Sequence, residues 1–167
     1  IGISDHTVAL HDKAGFDVQA AVAHVAKHGV LKGFADQAAA SPREALTLPC
    51  DVLAPCAVER VIDAEIAGAL QCRVLAEGAN GPTTPEADAV LAARGDVFVV
   101  PDILCNAGGV IVSYFEWVQD LQQYFWSRDE VMDRLERALE RSWNKVVERA
   151  ARDGVATRTA AMAIGVE

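Results

Sequence analysis

The chain has 167 residues, 51% of them hydrophobic, and a formal net charge of −9. That length suits one ordinary domain with a buried core, and no Pro- or Ser-rich tract argues for disorder. The acidity argues against nucleic acid or an anionic membrane surface as a partner, because either calls for clustered Lys and Arg, and the apolar stretches are too short and too often broken by charge to read as a signal peptide or a membrane span.

Residues 1–5 predict a strand, and a loop follows to about Gly15. Residues 17–28 predict a helix on which Val18, Ala21, Val22, Val25 and Ala26 share one apolar face. A short helix or turn is expected over 41–48, a strand over 51–54, a short helix over 62–69 and a strand over 73–76. Thr84 is a good N-cap for a helix over 85–94, with Pro85 at its first position and Glu86 at the positive end of its dipole. Residues 96–100 form a β-rich run that Pro101 and Asp102 break. From about Ala107 the pattern is all helical. Ser127 and Glu130 form a capping box ahead of a long helix ending near Gly154, with Val131, Leu135, Ala138, Leu139, Ser142, Val146 and Ala150 on its inner face. Asp133 and Arg137 on the outer face read as a solvated i,i+4 pair, and a last helix starts near Thr157. Strands alternating with helices at these intervals imply a parallel sheet with right-handed crossovers.

The chemistry is concentrated in two stretches, AEGANGPTTPEAD over 76–88 and PDILCNAGGVIVSYFEWVQ over 101–119. Each places glycines and one asparagine after a short apolar strand and before a helix. Asn80 sits between Gly78 and Gly81, and Asn106 precedes Gly108 and Gly109. An amide side chain carries two donors and an acceptor. Two strand ends thus present amides toward one edge, where open α/β sheets bind ligands.

Other features carry plainer readings. Cys50, Cys56, Cys72 and Cys105 have no CxxC spacing and read as buried free thiols in a reducing cytoplasm, with a disulfide or metal cluster far less favoured. His24 and His28 stand at i,i+4 but have no third ligand nearby, so surface histidines and no metal site are expected. Tyr114, Phe115, Trp117, Phe125, Trp126 and Trp143 have helical spacing, which favours packing between helices over a stacking platform. Ser113 lacks a GxSxG setting and is not read as a nucleophile.

Together with ISDHTVALHDKAGFD over 3–17, HGVLKGF over 28–34 and CDVLAPCAVERVI over 50–62, these stretches resemble the glutamate dehydrogenase family (glutamate, leucine, phenylalanine and valine dehydrogenases) in the same order along nearly the whole chain. The resemblance implies an α/β fold: a Rossmann-like parallel sheet, incomplete because its first strand and glycine loop are missing, followed by a C-terminal helical segment. Residues 1–106 would be the partial dinucleotide-binding domain, and 107–167 its C-terminal helices with a truncated return to the substrate domain. No GxGxxG occurs in the chain, which begins at Ile1, so it is expected to be the C-terminal part of a longer enzyme. The family's catalytic Lys and Asp lie upstream, leaving no catalytic residue here.

The resemblance further implies NAD or NADP as cofactor, L-glutamate and 2-oxoglutarate with ammonia as substrates and a homohexamer, while the free cysteines favour a cytoplasmic location. Asn80 would contact the nicotinamide ribose and Asn106 the carboxamide. Cys56, between Pro55 and Ala57, replaces an alanine of the family's Pro-Ala-Ala turn, which keeps backbone contacts to the cofactor and adds a thiol open to modification. Val110 would shape the substrate side-chain pocket and Ser113 donate to the distal carboxylate of glutamate; their i,i+3 spacing puts them on one helical face. Asp5 reads from its sequence position as a turn aspartate or as an acceptor for the adenosine ribose, and the resemblance favours ribose. His6 beside it leaves a 2′-phosphate, and hence NADP, open. Two alternatives stand: another amino acid dehydrogenase of the superfamily, against which Ser113 argues, and a non-catalytic cofactor-binding or regulatory module.

Overall fold

The computed structural model describes residues 1–35 and 38–167. In chain order the elements are β1 (Gly2–Ser4), β2 (Ala9–His11), α1 (Val18–His28), β3 (Ala38–Ala40), α2 (Pro42–Ala45), β4 (Val52–Leu53), α3 (Ala64–Ala69), β5 (Val74–Ala76), α4 (Pro85–Arg94), β6 (Phe98–Val100), α5 (Asp102–Cys105), α6 (Gly108–Gln122), α7 (Arg128–Asp153) and α8 (Thr157–Val166). The fold is α/β, with a parallel three-stranded sheet in the order β4-β5-β6. Among the described residues no helix is long and apolar enough to cross a membrane.

The chain divides into two compact units. The first comprises Ile1–Leu53, Arg60–Val74 and Thr83–Val97; the second comprises Ala54–Glu59, Leu75–Pro82 and Phe98–Glu167.

In the first unit, β1 and β2 pair antiparallel, with Ile3 opposite Leu10, and β2 pairs antiparallel with β3. This differs from the expected loop up to Gly15 and from a parallel setting for the first strand. The reason is local. The Asp5 carboxylate accepts from the backbone N–H of Thr7 at 2.8 Å and of Val8 at 3.1 Å, while the Asp5 N–H donates to the Val8 carbonyl at 3.0 Å. So tight a turn returns the chain beside itself, which permits only antiparallel pairing. Helix α1 forms as expected, capped by Asp17, but of its apolar stripe only Ala21 is buried, and Val18, Val22 and Val25 face outward.

The rest of this unit packs α3 against α4 around buried Ile62, Ile66, Ala67, Leu70, Ala87 and Leu91. The predicted start of α3 at residue 62 is displaced, because Ile62 forms a parallel bridge with Thr83 and Asp63 caps the helix. Arg94, in the last turn of α4, donates to the carbonyls of Ala67 at 2.6 Å and Leu70 at 3.0 Å. It thereby satisfies acceptors at the C-terminal end of α3 that have no helical partner. Thr84 caps α4 by accepting from the Ala87 N–H at 3.2 Å, as its sequence position predicts.

The second unit is built on its helices. Leu104, Val146, Ala160 and Ala161 form the core cluster, with Trp143, Ala150 and Ile164 packed on it. Ala160 and Ala161 present so little side chain that α8 lies close on α7. The predicted capping box of α7 is present, Ser127 and Glu130 each bonding the other's backbone. Every residue assigned to the inner face of α7 is buried or half-buried, while Asp133 and Arg137 are exposed. Gln119 is buried and ties the end of α6 back, donating to the Phe115 carbonyl and accepting from the Trp126 N–H at 2.6 Å.

The aromatics divide. Trp143 meets Phe98 and Trp126 meets Phe115 edge-on, at centroid separations of 5.9 and 5.6 Å, and the Arg134 guanidinium lies over Trp126. Tyr114, Trp117 and Phe125 are exposed instead of packed. Helical spacing identifies a face; it does not identify what covers it.

Candidate functional site

The site lies within the second unit and starts from the end of β5. Glu77 follows the last residue of that strand, donates its backbone N–H to the Val100 carbonyl at 3.1 Å, and has no solvent-exposed surface. A buried carboxylate needs partners, since an unpaired charge in a protein interior is strongly destabilising. Glu77 Oε2 accepts from the backbone N–H of Asp102, the first residue of α5, at 2.9 Å. Its Oε1 accepts from Arg158 Nη2 at 2.5 Å. Arg158, in the first turn of α8, donates with Nη1 to Asp102 Oδ1 at 3.0 Å, and Asp102 Oδ2 accepts from the Gly81 N–H at 2.8 Å. One guanidinium thus spans two carboxylates, which the planar fork of arginine suits and a point charge does not.

Between Glu77 and Gly81 runs a short loop that carries Asn80. A side chain at position 78 has no room: a Cβ there would sit 2.7 Å from Cys56 Sγ. The Ala79 N–H donates to the Pro55 carbonyl at 2.8 Å, so the loop lies directly on the Pro55-Cys56-Ala57 turn. Gly81 has a φ of +54°, a left-handed conformation that glycine takes without strain.

Asn106 is the C-cap of α5 and donates through Nδ2 to Asn80 Oδ1 at 2.7 Å and to the Gly78 carbonyl at 3.4 Å. The pair borders an open cleft of about 840 Å³ lined by Cys56, Ala57, Val58, Glu59, Gly78, Ala79, Asn80, Ile103, Asn106, Ala107 and Val110. Helix α6 begins at its edge. Ala107 gives that helix no side-chain cap, and a Cβ at Gly108 or Gly109 would meet nothing within 4 Å, so the space beside the first turn is open. All four cysteines are free, but only Cys72 is buried as expected; Cys50, Cys56 and Cys105 lie at the surface, because the apolar residues beside them in sequence do not cover them. Desolvation by its surroundings, reinforced by the neighbouring Cys56, Glu77 and Asp102, still raises the Cys105 thiol above its ordinary value.

The amide chemistry follows from these bonds. Asn106 engages its Nδ2 with the Gly78 carbonyl and Asn80 Oδ1, which leaves its own Oδ1 to accept; Asn80 accepts with Oδ1, which leaves its Nδ2 protons to donate. A flat heteroaromatic carboxamide with a ribose beside it has the complementary groups, and the cleft has the volume to hold them. The residues present therefore fit a nicotinamide nucleotide.

Four of the residues singled out from sequence, Cys56, Asn80, Asn106 and Val110, line this one cleft. Ser113 lies one helical turn beyond Val110 on α6, is exposed, and is not among the lining residues. Asp5 belongs to the first unit. Its Oδ1 accepts from the Thr7 and Val8 amides and from the Thr7 hydroxyl at 2.6 Å, and its Oδ2 from the Leu31 N–H at 2.6 Å. Burial works to raise this carboxyl, but the hydrogen bonds from Thr7, Leu31 and Val8 outweigh it and hold it well below the usual carboxylate range. Sequence reading assigned nothing to Glu77, Asp102 and Arg158 as a group. The signal for Glu77 was an acidic residue directly after the apolar Val74, Leu75 and Ala76; its partner 81 positions away had none.

The sequence model of the Glutamate/Leucine/Phenylalanine/Valine dehydrogenase family matches residues 1–167. A glutamate dehydrogenase of Thermotoga maritima is 41% identical over all 167 residues, and an NAD-specific glutamate dehydrogenase of Staphylococcus aureus 39%; the chain spans 40% of the length of each. Among solved structures, a hetero-hexameric glutamate dehydrogenase from Thermus thermophilus, in its Leu-bound form, superposes with a TM-score of 0.89 at 34% identity, covering 98% of this chain and 38% of that one.

Proposed function

The chain belongs to the glutamate/leucine/phenylalanine/valine dehydrogenase family, and we propose that it forms the cofactor-binding side of a glutamate dehydrogenase, which oxidatively deaminates L-glutamate to 2-oxoglutarate and ammonia with NAD or NADP. The observation that carries the proposal is the Asn80–Asn106 pair, bonded at 2.7 Å on the wall of a cleft that fits a nicotinamide nucleotide. When bound, the nicotinamide accepts or returns the hydride.

The work of this chain is position. Asn106 would hold the nicotinamide carboxamide, its Oδ1 accepting from the carboxamide N–H. Asn80 would donate through Nδ2 to the nicotinamide ribose, and the backbone beside Cys56, which lines the same cleft, would contact the coenzyme. Val110, at the cleft edge, shapes the space for the substrate side chain, and Ser113 donates to the distal carboxylate of glutamate. Asp5 accepts from the adenosine ribose through the lone pair that its Oδ2 retains after bonding Leu31. Proton transfers belong to a Lys and an Asp outside these 167 residues, so residues 1–106 act as the dinucleotide-binding part and 107–167 as its helical continuation. The assembly is a homohexamer in the cytoplasm.

The test places this segment behind the first three-fifths or so of the Thermotoga maritima relative and measures turnover with NAD and NADP. The expected outcome is coenzyme reduction driven by glutamate far better than by leucine or phenylalanine. Preference for an apolar amino acid would transfer the chain to another activity of the family, and coenzyme binding without any turnover would favour a non-catalytic module.

A further inference from the structure

We propose that Arg158 is a positioning residue for the cleft: through Glu77 and Asp102 it fixes the loop that carries Asn80, and with it the meeting of Asn80 and Asn106. This deepens the function proposed above and rests on it only for the statement that the asparagine pair receives a coenzyme.

Arg158 lines no part of the cleft, yet each asparagine is one short step from a group it holds. Asn80 directly precedes Gly81, whose N–H is bound by Asp102 Oδ2 at 2.8 Å while Arg158 grips the other oxygen of the same carboxylate. Asn106 donates its backbone N–H to the carbonyl of Asp102 at 3.1 Å, and the Asp102 N–H is in turn held by Glu77, the second carboxylate on Arg158. Both flanks of the loop thus converge on one guanidinium.

Docking of α8 does not need this. Thr157 Oγ1 donates to the Val99 carbonyl at 2.6 Å, and Ala160 and Ala161 lie in the core with Leu104 and Val146. Two carboxylates facing one cation also explain the choice of side chain. A lysine ammonium pairs with buried Glu77 but does not hold Asp102 in the same plane, so Arg158→Lys separates the charge from the geometry.

The experiment is nitrogen-15-resolved NMR of the 167-residue chain with the Gly81 amide and the Asn80 and Asn106 side-chain amides assigned, in the parent, Arg158→Lys and Arg158→Gln. Arg158→Lys is expected to stay folded, with the Gly81 amide exchanging roughly tenfold faster and both asparagine signals displaced. Arg158→Gln, which leaves Glu77 without its cation, is expected to lose stability or to displace the same signals further. If Arg158→Lys leaves the exchange rate and both side-chain signals at their parental values, the positioning role is wrong whatever the chain binds. The chimaeric enzyme supplies a second reading: coenzyme KM should rise roughly three- to tenfold in Arg158→Lys while kcat at saturating coenzyme barely moves. A loss confined to kcat would overturn the proposal. A parent chimaera that never turns over glutamate would sink the proposed function and leave the NMR comparison to decide on Arg158.

Discussion

Two strand ends in this molecule carry polar side chains of similar reach and put them to opposite uses. After β1, the Asp5 carboxylate accepts four donors from Thr7, Val8 and Leu31 and so builds the turn. After β5, the structural work falls to Glu77 and Asp102, and the asparagines between and beyond them bond mainly to each other. The difference is one of supply. A side chain at a strand end faces a ligand when other groups have already satisfied the local backbone donors; where it must satisfy them itself, it turns inward. The comparison predicts that removing a carboxylate that holds the local backbone shows first in stability, and removing an outward amide or hydroxyl shows first in binding.

The largest effect should come from the inward carboxylate with no exposed surface. Glu77→Ala leaves the Arg158 guanidinium without its closest partner and the Asp102 N–H without an acceptor, at a cost of about 3–5 kcal/mol by the usual behaviour of broken buried pairs. Urea denaturation reads this directly. A loss below about 1 kcal/mol would mean that the loop is held by its contact with Pro55 and not by the ion pairs.

Asp5→Ala removes four acceptor contacts at once and should cost about 2–3 kcal/mol. Because the folded carboxyl is held below its ordinary 3.8, the stability it contributes is fully present above that value and is lost as pH falls below it. The wild-type unfolding free energy should therefore decline below pH 4 or so more steeply than that of Asp5→Ala. Coenzyme binding should weaken as well, through the Oδ2 lone pair given to the ribose; stability unchanged by the substitution would break the comparison, since the carboxylate would then not hold the turn.

Asn106→Ala tests the other side. It should weaken coenzyme binding by about 2 kcal/mol through loss of the carboxamide acceptor, while the unfolding free energy changes by less than about 1 kcal/mol. Fluorescence titration with NADH and a denaturation curve on the same preparation check both numbers. An equal loss in each would make Asn106 a structural cap of α5.

What could be read from the sequence divides along the same line. Local signals were legible. Thr84, Ser127 and Glu130 cap where their types and spacing say they should, the inner face of α7 follows its period, and Cys56, Asn80, Asn106 and Val110 meet in one cleft. Pairing between distant segments was not. Nothing near residue 158 marks it as the partner of Glu77, and the short antiparallel β1–β2 pairing hides in six strand residues and one Asp turn. The exposed stripes Val18, Val22, Val25 on α1 and Tyr114, Trp117, Leu121 on α6 show the same limit, for periodicity marks a face without naming its neighbour.

Ser113 offers the smallest and most selective test. It is exposed on α6, one turn past Val110, so its hydroxyl has no evident structural task and belongs with the outward groups. If it donates to the distal carboxylate of glutamate, Ser113→Ala removes one hydrogen bond to a charged acceptor, about 1.5 kcal/mol and so roughly tenfold in kcat/KM. Stability and coenzyme affinity should stay within error. Norvaline, which has no second carboxylate, should lose almost nothing, so the discrimination for glutamate falls while residual turnover of monocarboxylates persists. The measurement is kcat/KM for both substrates in the chimaeric enzyme and its Ser113→Ala variant. Proportional losses on the two would show that the hydroxyl supports the helix and does not read the substrate; the polarity of Ser113 would then be used by the fold.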